Sequence, residues 1–240
     1  MTRASDLSKS PARIAAMFDA IAGRYDLLNH LLSAGIDRRW RRRAIASLSL
    51  TGRERVLDLC TGTADLAIAA RTATPPAARV VGVDFAGAML RVGQDKLAAR
   101  GLDGSVTLVR GDATRVPLAD RSVGCVTIAF GIRNIEDTEA ACAEVHRVLA
   151  PGGRFAILEF AVPATPSVRG AYLWYFNQVL PRVGRLVSRH HAAYEYLPAS
   201  VGAFASPDEL VTLLRHTGFQ DVTASPLSFG IVFLYAGRRG

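Results

Sequence analysis

The sequence predicts a doubly wound α/β fold, and three observations carry that prediction. Apolar runs of strand length recur between helical patterns, at 56–60, 79–83, 106–110, 123–130 and 154–160, as expected when parallel strands alternate with crossover helices. The first run, Val-Leu-Asp-Leu-Cys, breaks at Thr61-Gly62-Thr63 before a helical pattern begins. Such a strand–turn–helix junction leaves backbone N–H groups free to meet a ligand. Finally, Asp84 follows the second run, 22 residues after Gly62, where an α/β nucleotide fold keeps a carboxylate for ribose hydroxyls.

Taken in order, residues 1–10 read as a polar lead-in. A helix starts at Pro11 with Ile14, Met17, Phe18 and Ile21 on one face, and Gly23 is expected to end it. A second helical piece spans 25–32 and a third 37–47, so 11–50 form a helical cap ahead of the sheet. After the glycine loop come a helix over 64–71, a break at Pro75-Pro76, strand two, and a helix over 86–100. Strand three closes at Gly111-Asp112-Ala113, and strand four runs directly into Gly131-Ile132-Arg133-Asn134. An amphipathic helix over 137–149 stops at Ala150-Pro151-Gly152-Gly153 before strand five. An aromatic-rich insertion, 161–205, then lies over the carboxyl edge as a lid. Ser206-Pro207-Asp208-Glu209 caps a last helix with Gly218 at its C′ position, and strands at 222–224 and 231–236 end the chain. One domain over 1–240 accommodates all of this.

Composition sets the boundaries. Half of the 240 residues are apolar, yet no 18-residue apolar run exists and the N-terminus has no apolar core of a signal peptide. Cys60, Cys125 and Cys142 make an odd number without CxxC spacing; Cys60 and Cys125, in strand-like runs, read as small core residues, and a reducing, cytoplasmic compartment is expected. No His/Cys/carboxylate spacing calls for a metal. The net charge of +8 suits nucleic acid, an anionic membrane or solubility alone.

The loop departs from the dinucleotide fingerprint. Only Gly62 is a glycine and Asp65 stands inside the loop, where a carboxylate repels pyrophosphate and attracts a cationic ligand. S-adenosylmethionine, with a sulfonium, an ammonium and no phosphate, fits that chemistry better than NAD. Asp84 is then a ribose ligand or an N-cap, and Asp112 an adenine ligand or an Asx-turn. Arg133 and Asn134 leave strand four into the crevice by topology. Glu159, near the end of strand five, is a buried acid or a simple alternation partner. The run Arg38-Arg39-Trp40-Arg41-Arg42-Arg43 is a solvated helix face, a patch for anionic lipid headgroups, or a nucleic-acid contact. No RNA-binding motif accompanies it, so nucleic acid is not an expected partner.

Three signatures resemble the ubiquinone/menaquinone biosynthesis C-methyltransferase family over nearly the whole chain. They are Tyr25-Asp26-Leu27-Leu28-Asn29 with Ser33, Gly35, Trp40 and Arg41; Phe130-Gly131-Ile132-Arg133-Asn134; and Leu180-Pro181, Gly184 and Tyr194-Glu195-Tyr196-Leu197. The resemblance implies a class I S-adenosylmethionine-dependent methyltransferase fold, a mostly parallel seven-stranded sheet with an antiparallel C-terminal strand. It implies cofactor contacts at Thr63, Asp84, Asp112 and Ala113, beside Gly62 of the loop. Ala129 stands where relatives often have serine, Tyr235 where many have histidine, and Thr61-Gly62-Thr63-Ala64-Asp65 where the usual loop is Gly-Gly-Thr-Gly-Asp. The implied reaction is C-methylation of demethylmenaquinol, a polyprenylated hydroquinone; the ubiquinone-pathway ring, another small aromatic acceptor, and an RNA-binding protein with a vestigial cofactor fold are the alternatives. Arg133 and Asn134 are expected to orient the reacting ring oxygen, and Glu159, Tyr194, Tyr196, His190 and His191 compete as general base. The bilayer-bound tail implies peripheral attachment at the inner membrane face through the arginines and the aromatic insertion. A homo-oligomer is left open.

Overall fold

The computed structural model describes residues 9–179 and 191–240. Seven strands form one sheet: β1 (Arg55–Leu59), β2 (Arg79–Asp84), β3 (Val106–Arg110), β4 (Val123–Ala129), β5 (Leu149–Phe160), β6 (Phe219–Leu227) and β7 (Val232–Arg239). Their spatial order is β3-β2-β1-β4-β5-β7-β6. The first five pair in parallel, while β7 pairs antiparallel with both β5 and β6. The doubly wound prediction therefore holds, including the antiparallel strand near the C-terminus.

Alternation along the strands builds two apolar layers. Leu57, Leu59, Val126, Ile128, Phe155 and Ile157 face α5 (Thr138–Val148) and a late helix, α8 (Pro207–His216). Val56, Cys125, Ala156 and Leu158 face the opposite layer, with α2 (Asp37–Ser47) and α3 (Asp65–Arg71). Each fully buried Leu or Ile contributes about 1.5–3 kcal/mol relative to exposure. α8 starts with the capping box read from Ser206 and Glu209.

Two local readings are corrected. Gly23 does not end the first helix: α1 is continuous from Pro11–Leu32. A mid-helix glycine costs only about 1 kcal/mol, and packing of Ala22, Phe18 and Tyr25 against α4 (Gly87–Ala98) at Met89 offsets that cost. The arginine run is not one solvated face either. Trp40 and Arg41 point inward while Arg38, Arg39, Arg42 and Arg43 stay exposed. The insertion forms α6 (Pro166–Trp174), a π-helical turn (Tyr175–Val179) and α7 (His191–Ala203). Residues 1–8, Leu180-Pro181, Gly184 and His190, and the side chains of His191 and Tyr194, lie outside the described residues.

Inside β1 the chain buries an acid that the apolar pattern conceals. Parallel register places Asp58 between Thr127 on β4 and Gly82 on β2. Thr127 Oγ1 donates to Asp58 Oδ1 at 2.7 Å and Thr61 Oγ1 to Oδ2 at 2.6 Å. Gly82 makes room: a Cβ there would lie 2.8 Å from Thr61 Oγ1. Asp58 thus seats the glycine loop from below, and burial pushes its carboxyl up to about 6. The native state holds this proton to higher pH than the unfolded chain does. The resulting stability is complete below the ordinary value of 3.8 and is lost as pH rises through about 6. We expect wild type to lose roughly 3 kcal/mol more than Asp58→Asn between pH 3.5 and pH 7, read by urea unfolding. Parallel pH profiles would contradict the assignment.

Candidate functional site

Both central strands end in left-handed backbone. Cys60, after β1, has φ 56°, and Phe130, after β4, has φ 58°, a conformation that is uncommon for bulky residues and concentrates at functional sites. The two turns press together, since a Cβ on Gly131 would stand 2.3 Å from Cys60 Cβ. Between them opens a crevice lined by Gly62, Asp84, Met89, Ala129 and Asn134. Through Phe85 and Asn134 it continues into a second hollow of about 340 Å³ at Asp112, Ala113 and Ile135.

Four of the five residues expected to meet the cofactor, Gly62, Asp84, Asp112 and Ala113, line these two hollows. Asp84 Oδ1 accepts from Ala86 N–H and Oδ2 from Gly62 N–H, both at 2.9 Å. Its carboxylate is therefore aimed by the loop and the next helix together, and burial raises its pKa. The N-cap side-chain bond that would explain Asp84 structurally is confined to Ala86, the residue before α4. Asp112 Oδ1 accepts from Thr114 N–H and hydroxyl at 2.8 Å, an Asx-turn that also fixes the carboxylate at the hollow's edge. Thr63 differs. Its buried hydroxyl donates to Asp26 at 2.5 Å and accepts from Lys96 Nζ at 3.2 Å, and Thr63 is not among the residues lining either hollow. Ala64 holds φ 66° where the usual loop has glycine, which explains why that position favours a residue without Cβ.

The electrostatic reason given for a cationic ligand does not survive. Asp65 meets Lys96 Nζ at 2.5 Å and lies 3.7 Å from Arg41, so its charge is satisfied within the protein. Lys96, which no sequence motif singles out, also meets Asp26 at 2.6 Å. One ammonium thus ties α1 to the glycine loop and α3. Asp37 accepts from Arg41 and lies 2.9 Å from His30, while Asp65 is held by Lys96; this trio clusters tightly enough to suggest a metal, but Arg41 and Lys96 already neutralise its carboxylates. The crevice nonetheless suits S-adenosylmethionine by its own donors and acceptors. Asp84 presents oxygens for hydroxyls, the loop presents backbone, and Asn134 Oδ1 is buried without a hydrogen-bond partner among the described residues, an acceptor open to a ligand amino or hydroxyl group.

Next to the crevice lies an apolar cavity of about 360 Å³ between α1, α2, the strand ends and the insertion. The two spaces share Phe18, Tyr25 and Phe130. Trp40, Phe130 and Phe160 form its aromatic wall, with ring centroids 4.6–6.2 Å apart, and Trp40 Nε1 donates to Ser228 Oγ at 3.0 Å. Arg133 enters this cavity while Asn134 faces the crevice. Arg133 Nη1 donates to Glu159 Oε1 and to the Phe130 carbonyl, both at 2.7 Å, and its guanidinium lies 5.6 Å from the Phe160 ring centroid. Glu159 is fully buried and also accepts from Arg133 N–H and Phe160 N–H. It is the buried acid, with its oxygens committed to holding Arg133. Tyr196 lines the same cavity, and burial raises its pKa.

The model of the ubiE/COQ5 methyltransferase family matches residues 6–239. The ubiquinone/menaquinone biosynthesis C-methyltransferase UbiE of a Geobacter species is 44% identical over 97% of this chain and 99% of its own length. The demethylmenaquinone methyltransferase of Thermus thermophilus is 46% identical over 93% of this chain and 100% of its own. Among solved structures, a SAM-dependent methyltransferase from Thermotoga maritima aligns with TM-score 0.64 at 18% identity, covering 94% of this chain and 99% of that one. The cyclase SpnF aligns with TM-score 0.68 at 16% identity, covering 94% and 95%; likeness at this level carries the fold alone.

Removing the Lys96 ammonium leaves Asp26 and Asp65 facing each other beside the loop. For Lys96→Met we expect about tenfold weaker S-adenosylmethionine binding by calorimetry, near 1.4 kcal/mol, and a lower urea midpoint. Unchanged affinity would contradict a role for this clamp in shaping the loop.

Proposed function

Since the chain belongs to the ubiE/COQ5 methyltransferase family, we propose that it methylates a ring carbon of demethylmenaquinol, with Arg133 acting on the ring oxygen. S-adenosylmethionine supplies the electrophilic methyl group when bound. Gly62, Asp84, Asp112, Ala113 and Asn134 would hold it, with Thr63 supporting the loop through Asp26 and Lys96. The observation carrying the acceptor reading is an aromatic cavity, adjoining the crevice at Phe130, with two arginines on its lining, Arg41 from α2 and Arg133 from the turn after β4. The choice of a naphthoquinol ring follows the names of the Thermus and Deinococcus relatives.

The chain's own contribution is orientation and charge. Aromatic walls hold a flat ring, and the shared residues Phe18, Tyr25 and Phe130 bring it to the crevice mouth. A carbon nucleophile on a quinol gains strength as the neighbouring hydroxyl loses its proton. Arg133 favours that loss because a fixed positive charge in a dry site stabilises a developing phenolate. Glu159 keeps the guanidinium in place. Tyr196, its pKa raised by burial, stays a phenol and serves as a donor rather than the base. The cap and the insertion close one body around the acceptor.

The acceptor's isoprenoid tail requires a membrane face, and no described helix is long and apolar enough to cross a bilayer. We assign that face to the cavity rim. Ile36, Trp174 and Phe229 are exposed large apolar residues; Ile36 lines the cavity, and the other two adjoin its lining residues Tyr175 and Ser228. Four exposed arginines follow Ile36 on α2, suited to anionic headgroups at about 1 kcal/mol each near the surface.

Deleting Arg133 alone would strand a buried carboxylate, so the informative variant is Arg133→Met with Glu159→Gln. It should fold and bind S-adenosylmethionine while kcat with demethylmenaquinol falls about 100-fold, near 2.7 kcal/mol. Normal turnover would refute the role. In sedimentation with anionic vesicles, Trp174→Ser with Phe229→Ser, and glutamate at Arg38, Arg39, Arg42 and Arg43, should each cut binding at least tenfold. Equal binding by all three proteins would exclude this face.

A further inference from the structure

Tyr196 carries a polar atom that the described residues leave unanswered. Its residue is 9% exposed, and its hydroxyl has no hydrogen-bond partner among the described residues. The buried hydroxyls of the glycine loop and of β4, by contrast, are bonded: Thr61, Thr63 and Thr127. Burying an unbonded hydroxyl is unfavourable, and native proteins keep such groups where a ligand completes them. The hydroxyl's surroundings fit that explanation. Tyr196 lines the acceptor cavity, and one turn along α7 Ser200 Oγ lies 3.4 Å from Arg133 Nε. Ser200 is itself satisfied by donating to the Leu197 carbonyl at 3.0 Å. The helix therefore presents one satisfied hydroxyl to Arg133 and one unsatisfied hydroxyl to the cavity.

We propose that Tyr196 is a positioning and specificity residue whose hydroxyl donates a hydrogen bond to one ring oxygen of the bound hydroquinone, while Arg133 serves the other. This rests on the reading that the hydroquinone occupies this cavity. A two-point hold explains how the enzyme distinguishes a ring with two para oxygens from one with a single oxygen. Hydrophobic walls alone discriminate poorly between such rings, whereas a buried polar group left unpaired rejects the poorer ligand strongly.

The test is Tyr196→Phe, assayed with two acceptors: a short-tailed 2-prenyl-1,4-naphthohydroquinone and its analogue lacking the oxygen at position 1, which keeps the hydroxyl beside the reacting carbon. Expected are a Tm equal to or above wild type, unchanged S-adenosylmethionine affinity, and a KM for the hydroquinone raised about tenfold. The wild type's preference for the hydroquinone over its analogue should shrink by the same factor. A variant with wild-type KM and preference overturns the proposal while leaving the quinol reading intact. A Tm lowered by several degrees, with both acceptors affected equally, also overturns it and makes the residue structural. If wild type turns over neither acceptor, the underlying quinol reading falls first and this proposal with it.

Discussion

Arg133 and Glu159 meet at 2.7 Å with their side chains 6% and 0% exposed, too deep for water to share the charge. Removing two ions from water is costly, and a buried pair persists only when further hydrogen bonds satisfy it. Here the Arg133 and Phe160 backbone N–H groups complete the carboxylate, and the Phe130 carbonyl takes a second bond from Nη1. That carbonyl belongs to a residue held at φ 58°. The end of β4, the end of β5 and the direction of the guanidinium thus form one constraint. Loosening any member would release the wall formed by Phe130 and Phe160.

The same edge brings two differently built spaces into contact. The crevice is made mainly of backbone and short polar side chains, set from below by Asp58 and from the side by the Lys96 clamp. The cavity is made of aromatic rings from the cap, the strand ends and the insertion. They share Phe18, Tyr25 and Phe130, so a donor on one side and an aromatic acceptor on the other would meet across a few residues. SpnF has the same fold and is a cyclase, a reminder that chemistry resides in this local assembly and not in the sheet.

Much of this was legible from the chain. Largely apolar runs marked β1 to β5 because parallel strands are buried on both faces, and Ser206 with Glu209 announced the start of α8. Gly62, Asp84, Asp112 and Ala113 could be placed because strand ends in this topology converge on one edge. What escaped notice depends on tertiary partners. Asp58 was hidden within an apolar run, although an acid at mid-strand was itself a signal. Lys96 looked like any surface lysine until α1 folded over it. Asp65 seemed to favour a cationic ligand only because its partners lie 31 and 24 residues away in the sequence. Gly23 misled because helix propensity is a weak prior against the packing of α1 on α4.

The proposed chemistry is that of a hydroquinone ring carbon, not an oxygen, presented by the cavity to the crevice. Its most direct test is a single-turnover reaction of purified protein with methyl-¹³C S-adenosylmethionine and a short-tailed demethylmenaquinol, followed by NMR of the product. The label is expected as an aryl methyl on the ring carbon adjacent to a hydroxyl-bearing carbon. Label appearing as an aryl methyl ether, or no transfer to the quinol at all, would contradict it.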